Sequence, residues 1–471
     1  AVRSSIDSAA KHYPDQLTDS FVLGNPHEDI FKAIYGGANI ENVNALGILE
    51  TFTAPSIIVA ADSAATHTVS SKHKITNHAN KIFDLSRRHP VGVCICGKLD
   101  FLGMPWEDIF KLFRKELGKT SCANLKEYPT MFFEFVKTHI MSHLLEDQTT
   151  NLRVIVNGFW QEIIDISSKE LKEASKDTSE ENLFCKIQEK LIYFENIYSP
   201  ININKCADFE DYTIDEFTSY ATEIIEDVLK EPLNSHLCPK DFLKQFTQAL
   251  YNIIVSTVHV YLVNSEIIFW GYGEEDLFPS YFSFIISSAF DGRIKFTNKS
   301  AYVVSNINNA CVEPFAQTDV ANTVVRGIND DLRKKFYDSY KASITVFRDE
   351  IISQLDSAGA PEVLKDALLK IDLENYTNLY VQGMDLYIQD NYIAKLVNTV
   401  SYLSKEDLAD MAESLVRMTY LKRRITSEEE SVGGPVDVAV ITKGDGFVWL
   451  KRKHYFSAEL NPHYFERTNI D

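Results

Sequence analysis

Ile57-Ile58-Val59-Ala60-Ala61-Asp62-Ser63-Ala64-Ala65-Thr66 is the stretch on which the reading of this chain turns. Three β-branched residues and two alanines make a short, wholly apolar strand, and a carboxylate stops it. Asn80-Lys81-Ile82 opens a second apolar run. Far downstream, Ser431-Val432-Gly433-Gly434-Pro435 leads into Val436-Asp437-Val438-Ala439-Val440-Ile441, followed by Lys443-Gly444-Asp445-Gly446. A Gly-Gly-Pro approach to a buried-type strand, and a glycine-bounded turn after it, mark both ends of a further sheet element.

Outward from these stretches, the same pattern predicts strands at 45–49, 57–61, 81–85 and 91–96. Helical spacing begins at Trp106, Ile109, Phe110, Phe113 and Leu117, with Gly118 as the stop, and a second amphipathic run covers 129–145. Residues 146–240 turn acidic and polar yet keep apolar periodicity at 181–197 and 216–229, as a mainly helical insertion does. Strand character returns at 258–263, 266–272 and 281–296, where Asp291-Gly292 supplies a hairpin turn. A second helical stretch runs over about 316–373. Ser404 and Asp407 form a capping box for a helix over 405–424, whose apolar face carries Leu408, Met411, Leu415 and Met418. Strands at 436–442 and 446–451 close the pattern. No internal repeat or low-complexity segment is visible.

The order of elements predicts an α+β fold: a four-layer αββα arrangement of two antiparallel sheets between helical layers, with two mainly helical insertions. The expected partition is a leader or propeptide-like segment at 1–44, the first part of the core at 45–145 and an acidic helical insertion at 146–240. Core strands follow at 241–310, a second helical insertion at 311–400, and the last part of the core at 401–471.

Composition narrows the function classes. Among the 471 residues, 45% are hydrophobic, enough for a large core. The net charge of −20, from 67 acidic against 47 basic residues, repels phosphate backbones and anionic membrane surfaces. No apolar run approaches the roughly 18 residues of a spanning helix, and 1–30 lacks a signal-peptide pattern. A cytoplasmic location is expected, without nucleic-acid or membrane partners. Seven cysteines are scattered. Cys94 and Cys96 point to one face of a strand, and they read as small core residues.

The pairing of Asp62, Lys81 and the Gly433-Gly434 block resembles the proteasome β-type branch of the N-terminal-nucleophile (Ntn) hydrolases. The resemblance covers about 45–118, 266–296 and 404–455. It implies an Ntn-hydrolase sandwich and a nucleophile one short strand before Asp62, whose α-amine acts as base. It also implies Asp62 and Lys81 as relay partners, the Gly97 N–H as oxyanion donor, and a carboxylate at Glu429. The nucleophile position falls on Ala45, and 21–50 holds no Ser, Thr or Cys. The family serine falls on Val432. Two readings stay open. One is a catalytically inactive pseudoenzyme acting in assembly or partner binding. The other is a self-processing peptidase or amidohydrolase in which alanine replaces the nucleophile and leaves 1–44 attached. Either implies a homo-oligomer or ring, with protein or peptide as substrate for the active form and no cofactor or metal. Ile95 and Leu99, flanking Gly97, suggest an apolar pocket.

Three lesser features have plainer readings. His67, His73 and His78 are spaced by six and five residues, which fits no common zinc pattern. Gly271-Tyr272-Gly273 reads as a structural turn. Lys451-Arg452-Lys453-His454 reads as a solvated strand end, or, functionally, as a dock for an acidic neighbour.

Overall fold

The computed structural model describes residues 47–463, apart from 54–55, 70–71, 77, 174–179, 231–239, 306–309, 317, 426–432, 455, 457 and 462. The fold is mixed α and β, and its sheets are antiparallel. One five-stranded sheet runs β12 (Ala310–Ala316), β1 (Gly47–Thr53), β2 (Ser56–Ala61), β13 (Asp437–Thr442) and β14 (Gly446–Lys451). The other runs β11 (Arg293–Val303), β10 (Ser280–Phe290), β9 (Ser265–Gly271), β6 (Val91–Gly97) and β5 (Ile82–Asp84). Two small hairpins stand apart: β3 (Ala65–Val69) with β4 (Lys72–Thr76), and β7 (Asp100–Phe101) with β8 (Met104–Pro105).

Strand alternation sorts the side chains into three cores. Ile57, Val59, Ala61, Ala439 and Ile441 from the first sheet meet Cys94, Cys96, Ile268 and Trp270 from the second. Val91, Val93, Ile95, Ile267 and Phe269 face the other way, onto helices α1 (Trp106–Leu117) and α2 (Glu127–Phe135). Within this layer Phe132 sits among Trp106, Phe110, Phe113 and Phe269, with ring centroids 5.3–6.1 Å apart. On the first sheet, Ile58, Ala60, Val438 and Val440 pack against a helix that carries Leu408, Ala412 and Leu415.

A fourth core belongs mainly to helices. α3 (Leu145–Glu173), α4 (Glu180–Ile197), α5 (Ile214–Lys230) and α6 (Lys240–Val255) bury Phe159, Trp160, Phe194, Phe217, Phe242 and Phe246 among themselves. From the sheets, Phe290 alone joins this cluster. The seam with the β10–β11 turn is otherwise polar. Arg293 bonds Asp211 at 2.6 Å, Tyr212 donates to Asp291 at 2.8 Å, and Asn151 donates to Ser288 at 3.0 Å.

The remaining helices are α7 (Thr318–Arg326), α8 (Asp330–Ser357), α9 (Glu362–Leu369), α10 (Leu373–Ile388), α11 (Ala394–Val400) and α12 (Lys405–Ile425). Asn329 caps α8 by accepting from the backbone N–H groups of Asp331 and Leu332. Arg333 grips both carboxylate oxygens of Asp385 at 2.6 and 2.7 Å, and Tyr340 stacks on Tyr380 at 4.2 Å, so α8 and α10 lie side by side. Yet none of the side chains of α8 or α9 is buried, and α10 buries Thr377 and Ile388.

Several expectations need correction. Residues 258–263 are not a strand, because Tyr261 takes the left-handed conformation (φ 64°) and breaks the extended run. Residues 240–255 are the helix α6, with Phe242, Phe246, Leu250 and Ile253 on its buried face. Helical structure after β12 runs past the stretch read at 316–373, on to Val400; the strand β12, Ala310–Ala316, stands at the head of the segment expected as the insertion 311–400. The helix over 106–117 ends at Gly118 (φ 52°), as the spacing predicts.

Candidate functional site

Asp62 follows β2 directly, and Lys81 directly precedes β5, so each stands at the end of a buried strand from a different sheet. Both are almost wholly buried, at 1% and 0% exposure. Lys81 Nζ donates to Asp62 Oδ1 at 2.5 Å. The other oxygen, Oδ2, accepts the Ala64 N–H at 3.1 Å and the Gly433 N–H at 3.0 Å. Ser63 strengthens the same junction. Its N–H donates to Gly433 O at 3.1 Å, and its Oγ donates to Pro435 O at 2.5 Å. One carboxylate therefore joins the end of β2, the approach to β13 and, through Lys81, the second sheet.

Burial is the largest influence on Lys81 and pulls its pKa below the ordinary lysine value, while the Asp62 charge and hydrogen bond oppose it. Lys453 adds a further lowering contribution. Lys453 is itself half of a second buried pair: its Nζ contacts Asp437 Oδ2, and its N–H donates to Asp437 Oδ1 at 2.8 Å. Asp437 lies opposite Ala61 in the β2–β13 register, so the two Lys–Asp pairs share one end of the sheet.

Gly97 ends β6 with φ 77°, and a Cβ there would lie 2.3 Å from Asn264 O. The left-handed backbone and that close approach both require glycine at this position. Ile95 and Leu99 both pack on the helical-layer core, and Leu99 also reaches the core between the sheets. Ala45 and Glu429 lie outside the described residues.

A second polar group beside this junction escaped the sequence reading. Glu266 on β9 accepts from Ser283 Oγ at 2.5 Å and Lys299 Nζ at 2.8 Å, with Cys96 Sγ 3.5 Å away. Burial, then the neighbouring Glu266 charge, push the Cys96 thiol well above its ordinary pKa. Cys96 is thus held protonated, the opposite of a reactive thiolate. The available signal was a glutamate directly before the apolar run Ile267-Ile268-Phe269-Trp270.

Nearby Glu313, on β12, is raised by burial to about 7. The basic run at 451–453 is spent internally. Lys451 pairs with Glu413, Lys453 with Asp437, and Arg452 lies over Trp449 at 4.6 Å. Among the described residues, no group of three or more His, Cys, Asp or Glu side chains is placed to hold a metal ion. The arrangement around Asp62 does one thing well: it satisfies a buried charge pair with backbone donors and ties two sheets together.

No known protein-family model matches the chain. Over 64 residues it is 38% identical to the bacterial microcompartment shell protein PduT of Citrobacter freundii. That match takes in 14% of this chain and 35% of the relative, so the chain spans about a third of that protein's length. These findings correct the proteasome β-type and Ntn-hydrolase resemblance: no such family accounts for the chain, and the local similarity is to a shell protein. The peptidase, blocked-peptidase and proteasome-like pseudoenzyme readings fall with it.

Proposed function

We propose that this chain is a structural unit of a self-associating protein assembly, acting through its surface. One observation carries the reading. The α8–α10 arm, from Asp330 to Ile388, is three helices of 28, 8 and 16 residues with almost no core of its own. Isolated helices gain little from propensity, and most helical stability comes from an apolar face packed on something. Here Leu332, Phe336, Val346, Phe347, Val363, Leu364 and Leu369 stand exposed. Exposed apolar side chains gathered on one helical arm favour a protein contact. The local similarity to a shell protein supports the same reading.

The supporting frame is, in this reading, a four-layer αββα sandwich, with the bundle α3–α6 and the arm α8–α10 as its two helical additions. Asp62, Lys81 and Gly97 then serve as a strut holding the sheets in register, not as a reaction centre. The acidic balance disfavours nucleic acid, and no helix among the described residues is long and apolar enough to cross a membrane. We place its work in the cytoplasm.

Sedimentation equilibrium over a hundredfold range of concentration tests the proposal. A mass rising to a fixed multiple of 53.6 kDa is expected. A chain that stays at that mass throughout overturns it.

A further inference from the structure

The Asp62–Lys81 contact has features that an ordinary ion pair does not need. Lys81 brings three N–H donors into a site with no exposure. Among the described residues, Asp62 Oδ1, at 2.5 Å, is the acceptor that its Nζ meets. A buried ammonium with donors left over is costly, because the charge has lost its water and gains little in return. Burial pulls the amine toward its neutral form, and Lys453 adds to that pull. The carboxylate is held unequally as well. Among the described residues Oδ1 meets only the amine, whereas Oδ2 accepts two backbone N–H groups, from Ala64 at 3.1 Å and Gly433 at 3.0 Å. Two preset backbone donors on one oxygen stabilise the negative charge that builds there when a nucleophile attacks the adjoining carbon.

We propose that Asp62 and Lys81 condense into an intramolecular isopeptide bond, a covalent tie between the two sheets. The step balances without a co-reactant. The ammonium passes one proton to Oδ1, which leaves a neutral amine beside a neutral carboxyl group. Nζ then attacks Cγ, and the developing charge rests on Oδ2, under the Ala64 and Gly433 N–H groups. Nζ gives up a second proton to Oδ1, the Cγ–Oδ1 bond breaks, and Oδ1 departs as water. One N–C bond has formed and one C–O bond has broken, with Oδ2 as the carbonyl oxygen of the new amide.

Two physical effects favour the step. Contact between amine and carboxyl replaces a bimolecular encounter with a unimolecular one. In water, hydration of the two charged groups holds condensation back. Here Asp62 is 1% exposed, and Ser63, Ala64 and Lys81 are 0% exposed, so that hydration is lost and hydrolysis of the product is hindered. The second buried pair, Lys453 with Asp437, lacks the arrangement. Its Oδ2 meets the amine, and its Oδ1 accepts one N–H, that of Lys453 itself. That pair is expected to stay ionic. The cross-link is independent of the assembly reading.

Mass spectrometry of the full chain tests it. The intact parent is expected to be lighter than its sequence by one water. Its tryptic digest is expected to yield a branched peptide that joins Asp62 to Lys81 and is uncut after Lys81. Lys81→Arg keeps a cation but supplies no nucleophilic amine, and is expected at full sequence mass. The parent's own peptide map decides the matter even where that variant fails to fold. A parent of full sequence mass, with Asp62 and Lys81 on separate peptides, overturns the proposal. So does a water loss mapped elsewhere, such as a succinimide at Asp291-Gly292 or Asp445-Gly446.

Discussion

Asp62 holds three donors on two oxygens, and each donor comes from a different stretch of chain. Such a group is costly to disturb from one side. Asp62→Ala leaves Lys81 charged, buried and without its counter-ion, and is expected to destabilise the fold by about 3–5 kcal/mol. Lys81→Met in the same chain removes the stranded charge. The double variant is therefore expected to recover a large part of that loss, and urea denaturation of the three variants measures it. If the double is as unstable as the sum of the singles, the two residues are not acting as a pair. The sequence showed Asp62 and Lys81 each beside an apolar strand, but they were brought together through the resemblance and not by that pattern. The Glu266–Ser283–Lys299 group was not legible. Its members come from β9, β10 and β11, and only the register of those strands brings them together.

At the scale of elements, the bundle α3–α6 carries a pH dependence. His259, in the loop after α6, has its pKa lowered to about 3 by burial and then by the Lys295 charge. Its folded state holds the ring neutral, whereas the unfolded chain takes up a proton near 6.5. The contribution is complete above pH 6.5 and is lost as pH falls toward 3, at about 1.4 kcal/mol per pH unit for a single group. His259→Gln is expected to flatten that part of the stability profile between pH 6.5 and 4. Denaturation midpoints for parent and variant, measured in steps across that range, decide it; parallel profiles count against the assignment. The same region shows where sequence pattern misleads. The run Val258-His259-Val260-Tyr261-Leu262-Val263 alternates and branches like a strand, yet the left-handed Tyr261 makes it a loop. α6 was hidden for a different reason. It follows a polar insertion and precedes true strands, so its helical spacing was absorbed into the sheet region.

For the whole molecule, a core-poor arm and well-packed sheets imply unequal protection. Amides in 330–388 are expected to exchange with solvent faster than those of β2, β6, β9 and β13 when the chain is dilute. Raising the concentration into the range of self-association is expected to slow exchange in the arm and leave the strands unchanged. Hydrogen-exchange mass spectrometry at two concentrations reads both. Arm protection that ignores concentration counts against its role as a contact surface. The mixture of helices and antiparallel sheets could be read from strand and helix order, whereas the arm's exposure could not. Amphipathic spacing shows which face of a helix is apolar, but not whether anything covers it.

The bundle keeps its apolar core almost entirely to itself and meets the sheets through a polar seam of Arg293, Asp211, Tyr212, Asp291, Asn151 and Ser288. Cooperativity in melting follows shared apolar burial, and here little is shared. The chain is expected to absorb heat in two steps in scanning calorimetry, with a calorimetric enthalpy larger than the van't Hoff value. Arg293→Ala is expected to widen the gap between the two endotherms. A single sharp endotherm, unmoved by that substitution, would show that the seam binds the two cores into one melting unit.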